Sequence, residues 1–333
     1  MEEGGVENVV LSLSRALVRA GHESIVLSRG GRLVARLEAE GARHLTLELK
    51  SKNVLTYFFR AAQLRRALLQ AKPDLVCVHS RVPAWLFVWA NRILRLPWIS
   101  YAHGANSVSW YSAVMTRGDR IVVPSKFLKD YLLSNYGRTL EAKTRIVPNA
   151  VDLEKFDPEN LDLAYLDEKR REWKLKPGEK VTMSIGRITA LKGFDAVIRD
   201  FAVRGSGKLV IVGGADRDKQ ALLNDLKSLT RTLGVADRVV FAGREVKIPE
   251  CLALADEVVS GNTTKPESFG LSVAEAYAMN RPVRVLRRFG GVAEIMDAVA
   301  ALKKATYREA IAELYDFGIM SDKTLQVYEE LLK

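Results

Sequence analysis

Short apolar runs alternate with longer stretches of helical periodicity along the whole chain. The runs Ser24–Leu27, Leu75–Val78, Trp98–Tyr101, Arg120–Val123 and Thr144–Val147 predict five strands in the first half. Val181–Ile185, Lys208–Val212, Arg238–Phe241, Glu257–Val259 and Val283–Leu286 predict five more in the second. Between them, Glu7–Ala20, Phe59–Gln70, Lys126–Ser134, Asp216–Leu233 and Leu271–Met279 carry helical patterns. Strands with two apolar faces, alternating with helices, imply parallel sheets covered on both sides. The pattern breaks once, at Asp152–Lys180, which is dense in charge and carries Pro158 and Pro177. The hinge is expected there. The predicted fold is therefore α/β, with two Rossmann-like doubly wound domains, 1–155 and 156–333, facing across a cleft. The last helix is expected to pack back on the first domain. In such sheets ligands bind beyond the carboxyl ends of the strands.

The length of 333 residues suits two domains, and 48% apolar with 27% charged residues is ordinary for a globular chain. This excludes a disordered, collagen-like or disulfide-stapled protein. Charge changes the picture more: 51 Lys and Arg against 40 Asp and Glu give +11, which points to an anionic partner. Basic residues are scattered and interleaved with acids, which argues against nucleic acid. Cys77 and Cys251 lie in apolar runs and are expected to be reduced, buried thiols. The opening Met1-Glu2-Glu3-Gly4-Gly5 has neither the basic start nor the apolar stretch of a signal peptide. The apolar stretch Trp85–Trp98 is broken by Asn91, Arg92 and Arg95, too polar to span a bilayer. A cytoplasmic protein is expected, at the inner face of the membrane if it meets one.

The most informative stretch is Lys265-Pro266-Glu267-Ser268-Phe269-Gly270-Leu271-Ser272-Val273-Ala274-Glu275-Ala276-Tyr277-Ala278-Met279. It sets one carboxylate just before a helix and a second on that helix. The amides of Ser268, Phe269, Gly270 and Leu271 at the helix N-terminus suit anions or hydroxyls. A carboxylate at Glu275 can accept two hydrogen bonds from the vicinal diol of a ribose.

Glu267 and Glu275, with Phe269-Gly270-Leu271 between them, resemble the paired-glutamate signature of the family 4 retaining glycosyltransferases, which have the GT-B fold. Gly4-Gly5-Val6-Glu7 is similar to that family's glycine-rich start, and Val147-Pro148-Asn149-Ala150-Val151-Asp152 to the segment leading into its second domain. Ser184-Ile185-Gly186-Arg187 with Lys192-Gly193 resembles its diphosphate-binding segment, and Gly290-Gly291 with Glu294 its late glycine pair. The family's first strand is missing before Gly4, and its usual strand and loop after Glu294 are absent.

The resemblance implies transfer of a sugar from a nucleoside diphosphate donor, a UDP-sugar by preference, to a hydroxyl acceptor on a cell-envelope glycan or glycolipid such as lipopolysaccharide. It implies no cofactor and no obligatory metal. Arg187 and Lys192 would hold the diphosphate, whose charge grows as it departs. Glu275 would take the ribose, and Glu267 with the 268–271 amides the donor sugar. His103, after the strand Trp98–Tyr101, would flank the reacting centre. Gly186 and Gly5 would let backbone approach the donor, and Gly243, Arg244 and Val246 would hold the base. Gly4, Ser80 and Arg81, with His79 beside them, are acceptor-side candidates.

The helix patterned over Tyr57–Leu69 sets aromatics beside Arg60, Arg65 and Arg66. It reads either as a core-packed helix with a solvated face or as a surface for anionic membranes. A nucleotide-sugar sensor without turnover is the rival to an enzyme. A dinucleotide dehydrogenase is disfavoured, because Gly213-Gly214 lacks the third glycine of its fingerprint.

Overall fold

The computed structural model describes residues 4–49, 51, 53, 55–204, 206–262 and 264–333; Met1–Glu3 of the opening segment lie outside it. The chain forms two compact units, one of Met1–Ala150 with Phe317–Lys333 and one of Val151–Asp316.

In the first unit, β1 (Ile25–Ser28) and β2 (Arg43–Thr46) form a parallel two-stranded sheet. A separate four-stranded parallel sheet runs in the order β3 (Val76–Val78), β4 (Trp98–Tyr101), β5 (Arg120–Val123) and β6 (Thr144–Ile146). Its helices are α1 (Gly5–Arg19), α2 (Val34–Ala39), α3 (Tyr57–Ala71), α4 (Arg81–Leu94) and α5 (Lys126–Tyr136). Ser125 caps α5 by accepting from the Leu128 amide at 3.2 Å.

The second unit contains α6 (Leu163–Glu172), β7 (Val181–Ile185), α7 (Phe194–Arg204), β8 (Lys208–Val212), α8 (Gln220–Thr232) and β9 (Val239–Gly243). It continues with α9 (Ile248–Ala253), β10 (Glu257–Ser260), α10 (Leu271–Ala278), β11 (Val283–Val285), α11 (Gly290–Leu302) and α12 (Tyr307–Tyr315). The five strands are parallel in the order β11-β10-β7-β8-β9. Alternation along the strands fills both faces. Val181, Met183, Val210 and Val212 enter one core, while Leu209, Ile211 and Val259 enter the other. These are the two apolar faces expected from the sequence.

Two expectations need correction. The charged stretch 152–180 is not a free hinge: Phe156, Leu166 and Trp173 are buried in the second unit's core, and the change of unit falls at Ala150–Val151. The apolar residues every few positions anchor it despite the charge. The strand β2 was not anticipated, because Arg43 and Thr46 at its ends are exposed and mask the pattern.

The terminal helix α13 (Phe317–Leu332) belongs to the first unit. Met320, Val327 and Tyr328 share a core with Val9, Leu13 and Ala16 of α1 and with Ile99, Tyr101 and Val122 of the sheet. Glu330 clamps its end, accepting from Arg120 at 2.9 Å and from Arg145 at 2.9 and 3.1 Å, and these guanidinium contacts hold its carboxyl below the usual range. Cys77 and Cys251 are free thiols; Cys77 is half-buried and bonds Tyr328 Oη at 3.0 Å.

Candidate functional site

The order β11-β10-β7-β8-β9 has a switch point between β7 and β10: the chain adds β8 and β9 on one side of β7 and later β10 and β11 on the other. In open parallel sheets a switch point, at the carboxyl ends of the strands, is where ligands bind. Four of the candidate donor residues lie on the loops leaving β7 and β10. Gly186, Arg187 and Lys192 follow β7, and Glu267 follows β10. Lys192 Nζ pairs with Glu267 Oε1, with both side chains largely shielded from solvent. Its stem lies over Gly186. Arg187 is exposed and makes no hydrogen bond or ion pair with a described residue.

Close backbone approach fixes this frame. Gly213, after β8, has φ +156°, and a Cβ there would sit 1.8 Å from the Gly186 carbonyl oxygen. Its amide donates to the Gly243 carbonyl at 2.7 Å, tying the loops after β7, β8 and β9 together. Gly291 plays the same part beneath the glutamate loop: its amide donates to the Glu267 carbonyl at 2.8 Å, and a Cβ would meet the Ser268 oxygen at 2.4 Å. The late glycine pair thus supports the loop Pro266–Phe269 from below.

Glu275 lies on α10, where burial pushes its carboxyl up to about 7 against the opposing pull of Lys155 and Lys192. Lys192 accordingly stands near both glutamates. Ser268, Phe269 and Gly270 have no backbone hydrogen-bond partner for their amides among the described residues, at the start of α10. The Phe269 ring is itself buried, edge-on to Tyr315 at 5.3 Å, so only its backbone can meet a ligand. Leu271 likewise packs against the core.

The loop after β9 alternates in direction. Glu245 points inward, accepting from Tyr165 Oη at 2.5 Å and Lys169 Nζ at 2.9 Å, both on α6. Val246 is exposed, and Arg244 extends beside Gly214 toward Asp216 at 3.7 Å. Neither the Glu245 anchor nor Lys155 was read from the sequence. The signal for Lys155 was its place just after the Val147–Asp152 segment.

The first unit carries the other candidates. His79 Nδ1 and His103 Nε2 lie 2.9 Å apart, at the carboxyl ends of β3 and β4, and both rings stack with Tyr101. Burial pushes His103 down to about 4 and His79 well below its ordinary value, the latter also disfavoured by His103. Both imidazoles are neutral at pH 7, one donating to the other. His103 lines a small recess with Val9, Leu13, Ala102, Pro124 and Asn149. Arg81 opens α4, donates to Ser112 Oγ at 3.0 Å and lies over the Tyr111 ring; Ser80 is the N-cap residue. Gly4 is the N-cap of α1, and beside Gly5 there is open space. The sequence indicated each histidine singly but not their pairing.

Because both imidazoles are depressed, their contribution to stability is present above pH 6.5 and lost as pH falls toward 4. His103→Gln is expected to flatten the dependence of the thermal midpoint on pH across that window. A midpoint that falls in parallel with wild type would remove the pair as its cause.

In fold the protein is a GT-B glycosyltransferase. It superposes on the UDP-glucose complex of Anabaena Alr3699/HepE with a TM-score of 0.82, at 17% identity, over 99% of this chain and 97% of that one. Residues 3–155 match the model of Glycosyltransferase Family 4, and residues 166–325 that of Glycosyl transferases group 1. The chain belongs to the family 4 glycosyltransferases. It is 31% identical to the alpha-monoglucosyldiacylglycerol synthase of Streptococcus pneumoniae over 169 residues, covering 50% of this chain but only 36% of that enzyme. It is 28% identical to an uncharacterized glycosyltransferase of Methanocaldococcus jannaschii over 88% of this chain and 79% of that protein. Among the described residues no helix is long and apolar enough to cross a membrane.

Proposed function

We propose that the protein transfers a sugar, with retention at the anomeric carbon, from a nucleoside diphosphate sugar to a hydroxyl of a cell-envelope glycan or glycolipid. The observation that carries the reading is the Lys192–Glu267 pair across the switch point, with the open Arg187 on the same loop as Lys192. Arg187 and Lys192 take the diphosphate, the first as a fork and the second as a point charge. Glu275 accepts the ribose hydroxyls, Glu267 and the amides of 268–271 hold the sugar, and Gly243, Arg244 and Val246 flank the base. Within the first unit, His103 and Gly5 are our candidates for the donor, and Gly4, Ser80 and Arg81 for the acceptor. The bond from the anomeric carbon to the diphosphate breaks while the acceptor oxygen bonds on the same face, and the hydroxyl proton passes to the departing diphosphate oxygen. Charge grows on the departing oxygens, which fixed cations stabilise more than the ground state. No cofactor enters this scheme. Uridine is the favoured base, in line with the UDP-glucose bound by the Anabaena protein, and the Streptococcus relative's name supports a lipid acceptor.

Thermal shift with uridine, guanosine and adenosine diphosphates ranks the base, since bound ligand raises the midpoint. Release of nucleoside diphosphate from the matching donor, with acceptor added, tests turnover. Binding with no release under any acceptor would make the protein a sensor. Arg187→Ala is expected to weaken diphosphate affinity by about 1.5 kcal/mol, the low end for charged hydrogen bonds because the side chain is exposed. Unchanged affinity in a calorimetric titration would take it out of the site.

A further inference from the structure

We propose that one face of the first unit, built from α3, α4 and the loop 108–111, docks on a bilayer containing acidic lipids. The surface is made of residues other than the donor site, and its test does not depend on the transfer reaction.

The face is open where a core-packed helix would be closed. On α3, Ala61, Leu64 and Leu68 are buried, yet Phe58 is 61% exposed and Phe59 65%. Leu55 just before it is 93% exposed, and Ile93 near the end of α4 is 69% exposed. Of the three arginines, Arg60 turns inward, donating to the Asn53 carbonyl at 2.9 Å and to Thr56 Oγ1 at 3.1 Å. The helix thus presents aromatic rings where a solvated face was the first expectation.

These rings join into a belt. Phe58 meets Trp89 edge-on at 5.6 Å, and Tyr57 Oη donates to the Trp85 carbonyl at 2.8 Å. Trp85 meets Trp110 edge-on at 5.3 Å, and Trp110 is 76% exposed. Arg117 lies over Trp85 at 5.0 Å. Amphipathic rings of this kind settle at the headgroup level of a bilayer.

Charge selects the occupant. Between Leu55 and Arg95 the sequence holds seven Lys and Arg, of which only Arg60 is buried, and a single acid, Asp74, so the stretch carries a local surplus of positive charge. Arg66, Lys72, Arg92 and Arg95 are exposed. The core of a protein interface is depleted in charge, whereas cations mixed with exposed aromatics match an anionic headgroup layer. The belt ends at Arg81 beside Tyr111, so a hydroxyl borne on a lipid would arrive next to the acceptor-side residues.

Sedimentation of the full chain with vesicles tests this. The protein is expected to partition onto phosphatidylcholine vesicles containing phosphatidylglycerol, and not onto phosphatidylcholine alone, with partition falling as salt rises. Phe58→Ser, Phe59→Ser and Trp110→Ser combined should lower it roughly tenfold or more through lost apolar burial. Arg92→Gln with Arg95→Gln should lower it about twentyfold, near fivefold for each cation. Both variants should keep the wild-type circular dichroism and nucleoside diphosphate affinity. No partition onto acidic vesicles, or partition unchanged in both variants, would overturn the proposal. So would tight binding of single-stranded RNA without vesicle partition, which would assign the charge to nucleic acid.

Discussion

Lys192→Met is expected to slow glycosyl transfer by about two to three orders of magnitude, the scale for removing one fixed donor aimed at developing charge. The loss should exceed that of Arg187→Ala, because Lys192 is shielded and preorganised by its pairing with Glu267, whereas Arg187 is exposed. The pairing also means that Glu267 and a diphosphate compete for one ammonium group. Glu267→Gln separates the two roles. It frees Lys192, so the affinity for nucleoside diphosphate alone should hold or rise, while transfer from the full donor falls because the sugar hydroxyls lose a charged acceptor. Calorimetric titration with the diphosphate, beside steady-state release from the nucleotide sugar, reads both. If Glu267→Gln lowers both in proportion, the glutamate is orienting Lys192 rather than meeting the sugar.

The fold was largely legible because its strands are buried on both faces. A run such as Lys208–Val212 is a strand whatever surrounds it, and the observed bounds coincide with the expected ones. What failed were positions where burial is partial or distant in sequence. At β2, Arg43 and Thr46 face outward, so nothing in the pattern marked a strand. In 152–180 the charges concealed Phe156, Leu166 and Trp173, whose burial depends on α9 and the strands beyond. The site was legible where chemistry and spacing coincide, as in Glu267, Glu275, Arg187 and Lys192. It was not legible where the meaning lies in a pair. His79 and His103 are 24 residues apart, Lys169 and Glu245 are 76 apart, and only the folded sheet brings each couple together. Phe269 shows the reverse limit: its motif marks the backbone, while its ring serves the core.

Glu275→Gln is expected to make the protein more stable and less able to bind nucleosides. Burial raises the carboxyl to about 7 from an ordinary 4.5, so the folded chain holds a proton that the unfolded chain has already lost. Below pH 4.5 both states are protonated and no cost arises. As pH climbs toward 7 the unfolded chain ionises first, and stability falls across that window by on the order of 3 kcal/mol before levelling off. The glutamine has no such window, so its denaturant midpoint should vary less with pH and exceed wild type at pH 8. Function explains why an ionisable group is kept at this expense: the carboxylate offers a charged acceptor oxygen to each hydroxyl of a ribose, which a glutamine does not. Lys155 and Lys192, the cations that act on it, favour that charged form. Nucleoside diphosphate affinity in wild type should therefore rise with pH through the same range and release a proton on binding. The variant should bind weaker by about 2 kcal/mol, the scale for hydrogen bonds to a charged group, and without the pH dependence. Parallel stability curves for the two proteins, or an affinity equally steep in pH in both, would show that another group titrates there and would take Glu275 out of the ribose site.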